Sequence, residues 1–374
     1  MTFDPKSLIA PPVRTLAPYV PGKPIEELER EYGIRDSIKL ASNENPLGPG
    51  PLALEAMRAA LDHVGLYPDG NGFALKAALA KKHGCAPESI TLGNGSNDVL
   101  VLLAEAFLTP AVEAVYSQYA FAVYPIAVQA TGAVARIAPA LPDTHAMPLG
   151  HDLDAMRALV NANTRLIFIA NPNNPTGTFV DADSLHAFIA SVPSSTLVVV
   201  DEAYVEYADD PRYPDASRWL AEFPNLVVTR TFSKAYGLAG LRVGYALSHP
   251  AVADALNRVR QAFNVNSIAL AAARAALDDR EHLQRSIAVT RQGLAQVRAG
   301  CDRLGIRHLP SQGNFVLLDL RRPALPVYER MLREGVIVRP VANYSLPNHL
   351  RVTVGTPEQN QRMLAALEKA LAVP

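Results

Sequence analysis

The sequence predicts an α/β fold in which a mainly parallel sheet lies between two helical layers, followed by a smaller α+β unit. Three observations carry this. Short apolar, β-branched runs at 166–170, 196–200 and 225–229 alternate with longer helical stretches between about residues 46 and 250. These runs are apolar on both faces, which suits strands covered on both sides rather than strands with one wet face. The chain is 374 residues long and 49% hydrophobic, more than one compact core usually holds, so a three-layer α/β/α unit plus a second unit is expected.

Along the chain, residues 1–45 carry Pro5, Pro11, Pro12, Pro18, Pro21 and Pro24 and read as an arm with one short helix at Ile25–Tyr32. The large unit is expected over 46–255. Within it, a strand at 89–92 runs into Gly93-Asn94-Gly95 and then into an apolar helix at 99–108. After about 255 comes a long helical region carrying Arg258, Arg260, Arg274, Arg280, Arg285 and Arg291. Strand candidates at 314–320, 336–338 and 350–354 complete the smaller unit, which is expected to comprise 256–374 and the arm. The alanine-rich stretch 268–277 is ordinary helix composition, and no internal repeat or low-complexity tract is visible.

Lysine plus arginine number 35 and aspartate plus glutamate 36, a balance that offers no electrostatic reason for a nucleic-acid or anionic-membrane partner. The two cysteines, Cys85 and Cys301, lie far apart without metal-like spacing, so neither a disulfide framework nor a metal site is expected. The start, Met1-Thr2-Phe3-Asp4-Pro5, lacks a basic-then-apolar leader, and no uncharged apolar run is long enough for a membrane span. A cytoplasmic protein is expected.

Four segments follow apolar runs. Gly93-Asn94-Gly95-Ser96-Asn97-Asp98 opens a helix, where tight glycine turns would aim the free N–H groups of Ser96 and Asn97 at an anion. It is no P-loop, because no Gly-Lys-Ser/Thr follows, and Asp98 stands where a dinucleotide fingerprint needs its third glycine. The bland alternative is a simple strand-to-helix turn. Asn171-Pro172-Asn173-Asn174-Pro175-Thr176-Gly177 is likewise explained as a turn, yet its asparagines offer amide donors to a ligand oxygen. Asp201-Glu202-Ala203-Tyr204 supplies a carboxylate, which in isolation reads as a helix cap, and a phenol. Thr231-Phe232-Ser233-Lys234 leads to Gly240-Leu241-Arg242; a lone lysine is ordinarily a solvated charge.

Position joins the four readings, because ligands of open α/β sheets sit outside the carboxyl ends of the strands. The combined set matches the needs of pyridoxal phosphate, an electron sink that the protein must hold and tune. Lys234 is the amine for a Schiff base. Asp201 keeps the ring nitrogen protonated. Asn174 and Tyr204 donate to the ring's phenolic oxygen, and Ser96, Asn97, Ser233 and Arg242 hold the phosphate. An aromatic face for stacking is expected from Tyr119, in Tyr116-Ser117-Gln118-Tyr119.

The segments Asn174-Pro175-Thr176-Gly177, Asp201-Glu202-Ala203-Tyr204 and Ser233-Lys234 through Arg242, in this order, resemble the fold-type-I pyridoxal-phosphate aminotransferases, histidinol-phosphate aminotransferases most of all. The similarity runs from Leu16-Ala17-Pro18-Tyr19 to Leu350-Arg351-Val352-Thr353-Val354-Gly355-Thr356. The resemblance implies the roles just given to Asn174, Asp201, Tyr204, Lys234 and Arg242. It also implies a homodimer with shared active sites, in which Tyr67 of Leu66-Tyr67-Pro68 reaches the neighbouring subunit's cofactor phosphate. Arg351 is similar to the arginine that grips the substrate carboxylate. With Arg339 and Tyr19 it is implied to bind the phosphate of histidinol phosphate; the alternative for Arg339 is a surface salt bridge. Asn43 and Asn314 are further candidates for the substrate pocket. The glycine loop departs from relatives that carry an acidic pair where this chain has Ser96-Asn97-Asp98, which leaves the subgroup open.

The implied reaction is ping-pong transamination in histidine biosynthesis, with 2-oxoglutarate as acceptor and Lys234 as both anchor and proton carrier; catalysis is expected of Lys234, Asp201 and Tyr204. Four alternatives stand beside it. The same fold could serve phenylalanine or tyrosine as donor, or decarboxylate a phosphorylated amino acid. A nicotinamide oxidoreductase would rest on Gly93-Asn94-Gly95 alone and leave Lys234 without work. A cofactor-sensing regulator would need a DNA-binding segment, and nothing before residue 46 has the length or basic helix for one.

Overall fold

The computed structural model describes residues 4–372. Met1-Thr2-Phe3, part of the start from which the absence of a leader was expected, and residues 373–374, the end of the expected smaller unit, lie outside the described residues.

A seven-stranded sheet forms the centre of the large unit. Its spatial order is Ile90–Gly93, Gly244–Leu247, Leu226–Thr231, Leu197–Asp201, Thr164–Ala170, Glu113–Ser117 and Val134–Ala138. Gly244–Leu247 runs antiparallel to both neighbours, and the remaining pairs are parallel. Side chains alternate across a strand, and the two resulting sets enter different cores. Ile167, Ile169, Val198, Val200, Leu226 and Val228 join one core with helix Phe73–His83. Leu166, Phe168, Ala170, Val199 and Val227 join the other, with helices Ser96–Phe107 and Val123–Thr131. Full burial of each such side chain contributes about 1.5–3 kcal/mol, so both helical layers are needed to hold the strands. This is the expected three-layer α/β/α arrangement.

The strands expected at 166–170, 196–200 and 225–229 are Thr164–Ala170, Leu197–Asp201 and Leu226–Thr231. Glu113–Ser117, Val134–Ala138 and Gly244–Leu247 were not anticipated. Val134–Ala138 is an edge strand buried only at Ala138, and its Arg136 pairs with Glu113 at 2.6 Å, so it lacks an apolar run. Gly244–Leu247 has only four residues and begins with glycine.

The helical region after 255 is broken into Pro250–Val259, Ser267–Ala276 and Arg280–Arg303. Asn266 and Asp279 accept backbone N–H bonds from Ala269 and His282, at 2.8 and 3.2 Å, and thereby start new helices. Ala269, Ala272 and Ala273 pack into the same core as Leu75 and Leu79 of the large unit. We therefore place the boundary expected at 255 after Ala276 instead.

The smaller unit holds an antiparallel sheet in the order Arg339–Val341, Leu346–Thr353, Phe315–Asp319 and Arg307–His308. Val316, Leu318 and Val352 pack with Val297, Met331 and Leu367 of the flanking helices. The arm contains the helix Ile25–Tyr32, and its strand Ile38–Lys39 pairs in parallel with Val336–Ile337. The chain then enters 42–45 between the units.

Candidate active site

Three neighbouring parallel strands end at one place. Ala170, Asp201 and Thr231, each the last residue of its strand, line a cavity of about 470 Å³. The loops that follow add Pro172 and Asn174, Ala203 and Tyr204, and Ser233 and Lys234. Tyr19, Ser42, Asn43, Glu44, Ser96, Asn97, Arg242 and Arg351 complete the polar part of the lining. The carboxyl edge of a parallel sheet collects such groups because every strand must turn there.

Asp201 is buried at the floor. Tyr124 donates to its Oδ2 and Thr229 to its Oδ1, both at 2.9 Å. Thr229 is the direct cross-strand partner of Asp201, so parallel register places that hydroxyl. Burial pushes the Asp201 carboxyl above its ordinary value, while both hydroxyls and nearby Lys234 favour its charged form.

Lys234 Nζ donates to the Ser42 carbonyl at 2.8 Å and lies 5.8 Å from the centre of the Tyr204 ring. Removal from water, then the Arg351 charge, lowers its amine to about 8. Tyr204 accepts from Asn43 Nδ2 at 2.9 Å, and burial raises its phenol to about 12. Asn43 also receives Thr353 and reaches Asn314, whose Nδ2 donates to the Asn43 carbonyl at 3.0 Å. Asn314 therefore stands behind the cavity lining and supports the 42–45 segment.

At the opposite end, helix Ser96–Phe107 starts at Gly95 with φ +81 and no side-chain cap, which leaves its first N–H groups open to the cavity side. Arg242 lies beside them with φ +57 and donates to Ser233 Oγ at 3.2 Å. A side chain at Gly95 would strike the Arg242 guanidinium, and one at Gly244 would strike the Ser96 amide. The glycines thus keep an N–H and guanidinium cradle open. Asp98 turns away from it, accepting from Asn94 N at 2.8 Å and Asn264 Nδ2 at 2.9 Å.

Arg351 reaches the cavity from the small sheet. Its Nη1 donates to Asn174 Oδ1 and its Nη2 to the Ala41 carbonyl. Arg339 does not line the cavity; its Nη2 donates to the Val20 carbonyl at 2.6 Å and its guanidinium lies 5.7 Å from the centre of the Tyr19 ring. Neither an ion pair nor a direct wall position describes it: Arg339 secures the arm that brings Tyr19 in.

Two expected residues lie elsewhere. Tyr119 packs against the small-unit cluster of Leu309, Leu317 and Tyr344, so its ring is not a cavity wall. Phe121, two residues on, faces the cavity together with Val101, Val123 and Ile126. Sequence offered two rings in Tyr119-Ala120-Phe121 without showing which turned inward. Tyr67 is 84% exposed, stacks on Phe263 at 4.8 Å, and is outside this cavity. Tyr124, Thr229, Ser42 and Glu44 were also missed. Strand register places Thr229, the helix Val123–Thr131 places Tyr124, and the fold of the arm brings in Ser42 and Glu44.

A model of the family "aminotransferase class I and II" matches residues 35–367. Histidinol-phosphate aminotransferase 2 of Pseudomonas fluorescens (strain Pf0-1) is 58% identical, over 98% of each chain. The protein of the same name from Methylococcus capsulatus is 57% identical, over 98% of each chain. Among solved structures, histidinol-phosphate aminotransferase from Sinorhizobium meliloti, in complex with pyridoxal-5'-phosphate, superposes with a TM-score of 0.89 at 30% identity, covering 98% of both chains.

Proposed function

The chain belongs to the class I and II aminotransferases, and we propose that it transfers the amino group of L-histidinol phosphate to 2-oxoglutarate, in histidine biosynthesis, by a ping-pong sequence. The observation that carries the choice of donor is the 58% identity, over 98% of both chains, with a relative of that name.

The lining fits pyridoxal phosphate. The glycine-kept cradle of Arg242, Ser233 and the Ser96 and Asn97 amides suits a phosphate dianion. Asp201, held by two hydroxyls, suits a cationic ring nitrogen, and Phe121 offers a flat apolar face. Asn174 and Tyr204 line the same cavity as Lys234 and suit the phenolic oxygen. When bound, pyridoxal phosphate supplies an electron sink for the carbon next to the substrate nitrogen.

The chain's own residues do the rest. Lys234 is the attachment point, and its Nζ, lowered to about 8, takes a proton from one carbon and returns it to another near neutral pH. Asp201 keeps a negative charge at the cavity floor. Arg351 holds an anionic group of the substrate, steadied by Asn174 and the Ala41 carbonyl. Tyr19, fixed by Arg339, closes the arm side and helps to receive a second phosphate.

A homodimer accords with Tyr67, which stays 84% exposed although it stacks on Phe263, and with the exposed Leu61, Val64, Leu66 and Phe73 nearby in sequence. In that dimer Tyr67 would serve the other subunit's phosphate site. No described helix is long and apolar enough to cross a membrane, and we place the enzyme in the cytoplasm.

The apolar wall of Val101, Phe121, Val123 and Ile126 favours a second reading, phenylalanine or tyrosine as donor. Product analysis with histidinol phosphate, phenylalanine and phosphothreonine separates the readings. Fast conversion of histidinol phosphate alone is the expected result; preference for phenylalanine, or release of carbon dioxide from phosphothreonine, would replace it.

A further inference from the structure

The proposed use of Asp201 depends on a carboxylate that stays ionised and correctly turned while buried. Two hydroxyls do this, and they differ. Thr229 belongs to the neighbouring strand, where backbone register sets its place. Tyr124 comes from the separate helix Val123–Thr131, is fully buried, and stacks on Phe168 with ring centres 4.8 Å apart and planes 13° apart. Its ring also meets Phe121 edge-on, at 5.9 Å and 89°. Tyr124 therefore touches both the carboxylate at the cavity floor and the aromatic wall beside it.

We infer that Tyr124 is a positioning residue: its hydroxyl fixes Asp201 for the cofactor's ring nitrogen while its ring braces Phe121 as the stacking face. This rests on the assignment of Asp201 to that nitrogen. The hydroxyl can serve because it does not ionise: burial and the Asp201 charge hold the phenol well above its ordinary value, so it remains a donor. A hydrogen bond from a fixed donor to a buried carboxylate is a strong one. The stack on Phe168 fixes the direction of that donor.

Tyr124→Phe removes the hydroxyl and keeps both ring contacts. Pyridoxal phosphate affinity, measured by equilibrium dialysis, is expected to fall about tenfold. The pH midpoint of the holoenzyme's visible band is expected to rise by about one unit, because a ring nitrogen carrying less positive charge repels a proton on the attached amine less. Thermal unfolding of the cofactor-free protein reports folding separately. If Tyr124→Phe is poorly folded, Thr229→Val, which removes the companion donor, must move the band in the same direction. Unchanged affinity and midpoint in a folded Tyr124→Phe protein, with both altered in Asp201→Asn, would overturn the role of Tyr124 alone. Unchanged values in Asp201→Asn as well would overturn the assignment of Asp201 on which it rests.

Discussion

Arg351 Nη1 donates to Asn174 Oδ1 at 2.5 Å, joining a strand of the small sheet to the turn that follows a central strand of the large one. The same guanidinium donates to the Ala41 carbonyl at 2.6 Å. The proposed substrate grip and the junction between units thus share one side chain.

Arg351→Lys keeps the charge but loses the planar fork. The KM values for both histidinol phosphate and 2-oxoglutarate should rise roughly tenfold to a hundredfold, equivalent to about 1.4–2.8 kcal/mol. Steady-state kinetics with each substrate varied in turn checks this. A change confined to one substrate would mean that Arg351 does not serve both half-reactions.

Asp201→Asn preserves shape and removes charge. Turnover should drop by on the order of 100-fold or more, the usual cost of losing a preorganised electrostatic partner. The cofactor-free protein should be no less stable, because burial of the carboxylate already disfavours its charged form. Turnover assays and thermal unfolding of the same preparation test both halves.

Lys234 gives a pH signature with a definite sign. Its folded value, about 8, lies below the ordinary lysine value of 10.5. The cofactor-free protein therefore binds fewer protons there than the unfolded chain between those values, so this group's contribution to stability rises with pH across that window. Lys234→Met should be more stable than the parent at pH 7, and the gap should close toward pH 10.5. Urea unfolding at a series of pH values measures it.

Behind Asp201, Arg230 joins buried Glu202 at 2.6 Å and Asp215 at 2.5 Å. Burial raises the Glu202 carboxyl to about 7 although Arg230 opposes this. Glu202→Ala should cost about 3 kcal/mol, the lower end for breaking a buried pair, because Asp215 still faces Arg230. Denaturant unfolding of the cofactor-loaded protein gives the figure.

The strands Thr164–Ala170, Leu197–Asp201 and Leu226–Thr231 and the polar groups at their ends were legible because burial on both faces writes an apolar run, with Asn174, Asp201 and Lys234 at or just beyond the ends of those strands. Phe121 was not, since the choice between it and Tyr119 is made by how the chain turns after Glu113–Ser117. Thr229 depended on register across two strands, which local pattern does not carry. The place of Arg339 depended on the arm packing over it, and Tyr67 faces outward from its own chain. The helix Ser267–Ala276, expected in the smaller unit, packs with the core of the larger one, a choice the sequence does not show because its alanines are compatible with either core.

Lys234 is proposed to carry the cofactor. Borohydride reduction of the pyridoxal-phosphate-loaded protein, followed by peptide mass mapping, tests it most directly. One stable pyridoxyl phosphate adduct per chain is expected, on Lys234 in the Thr231-Phe232-Ser233-Lys234 segment. An adduct on another lysine, such as Lys76 or Lys82, or none at all, would contradict it.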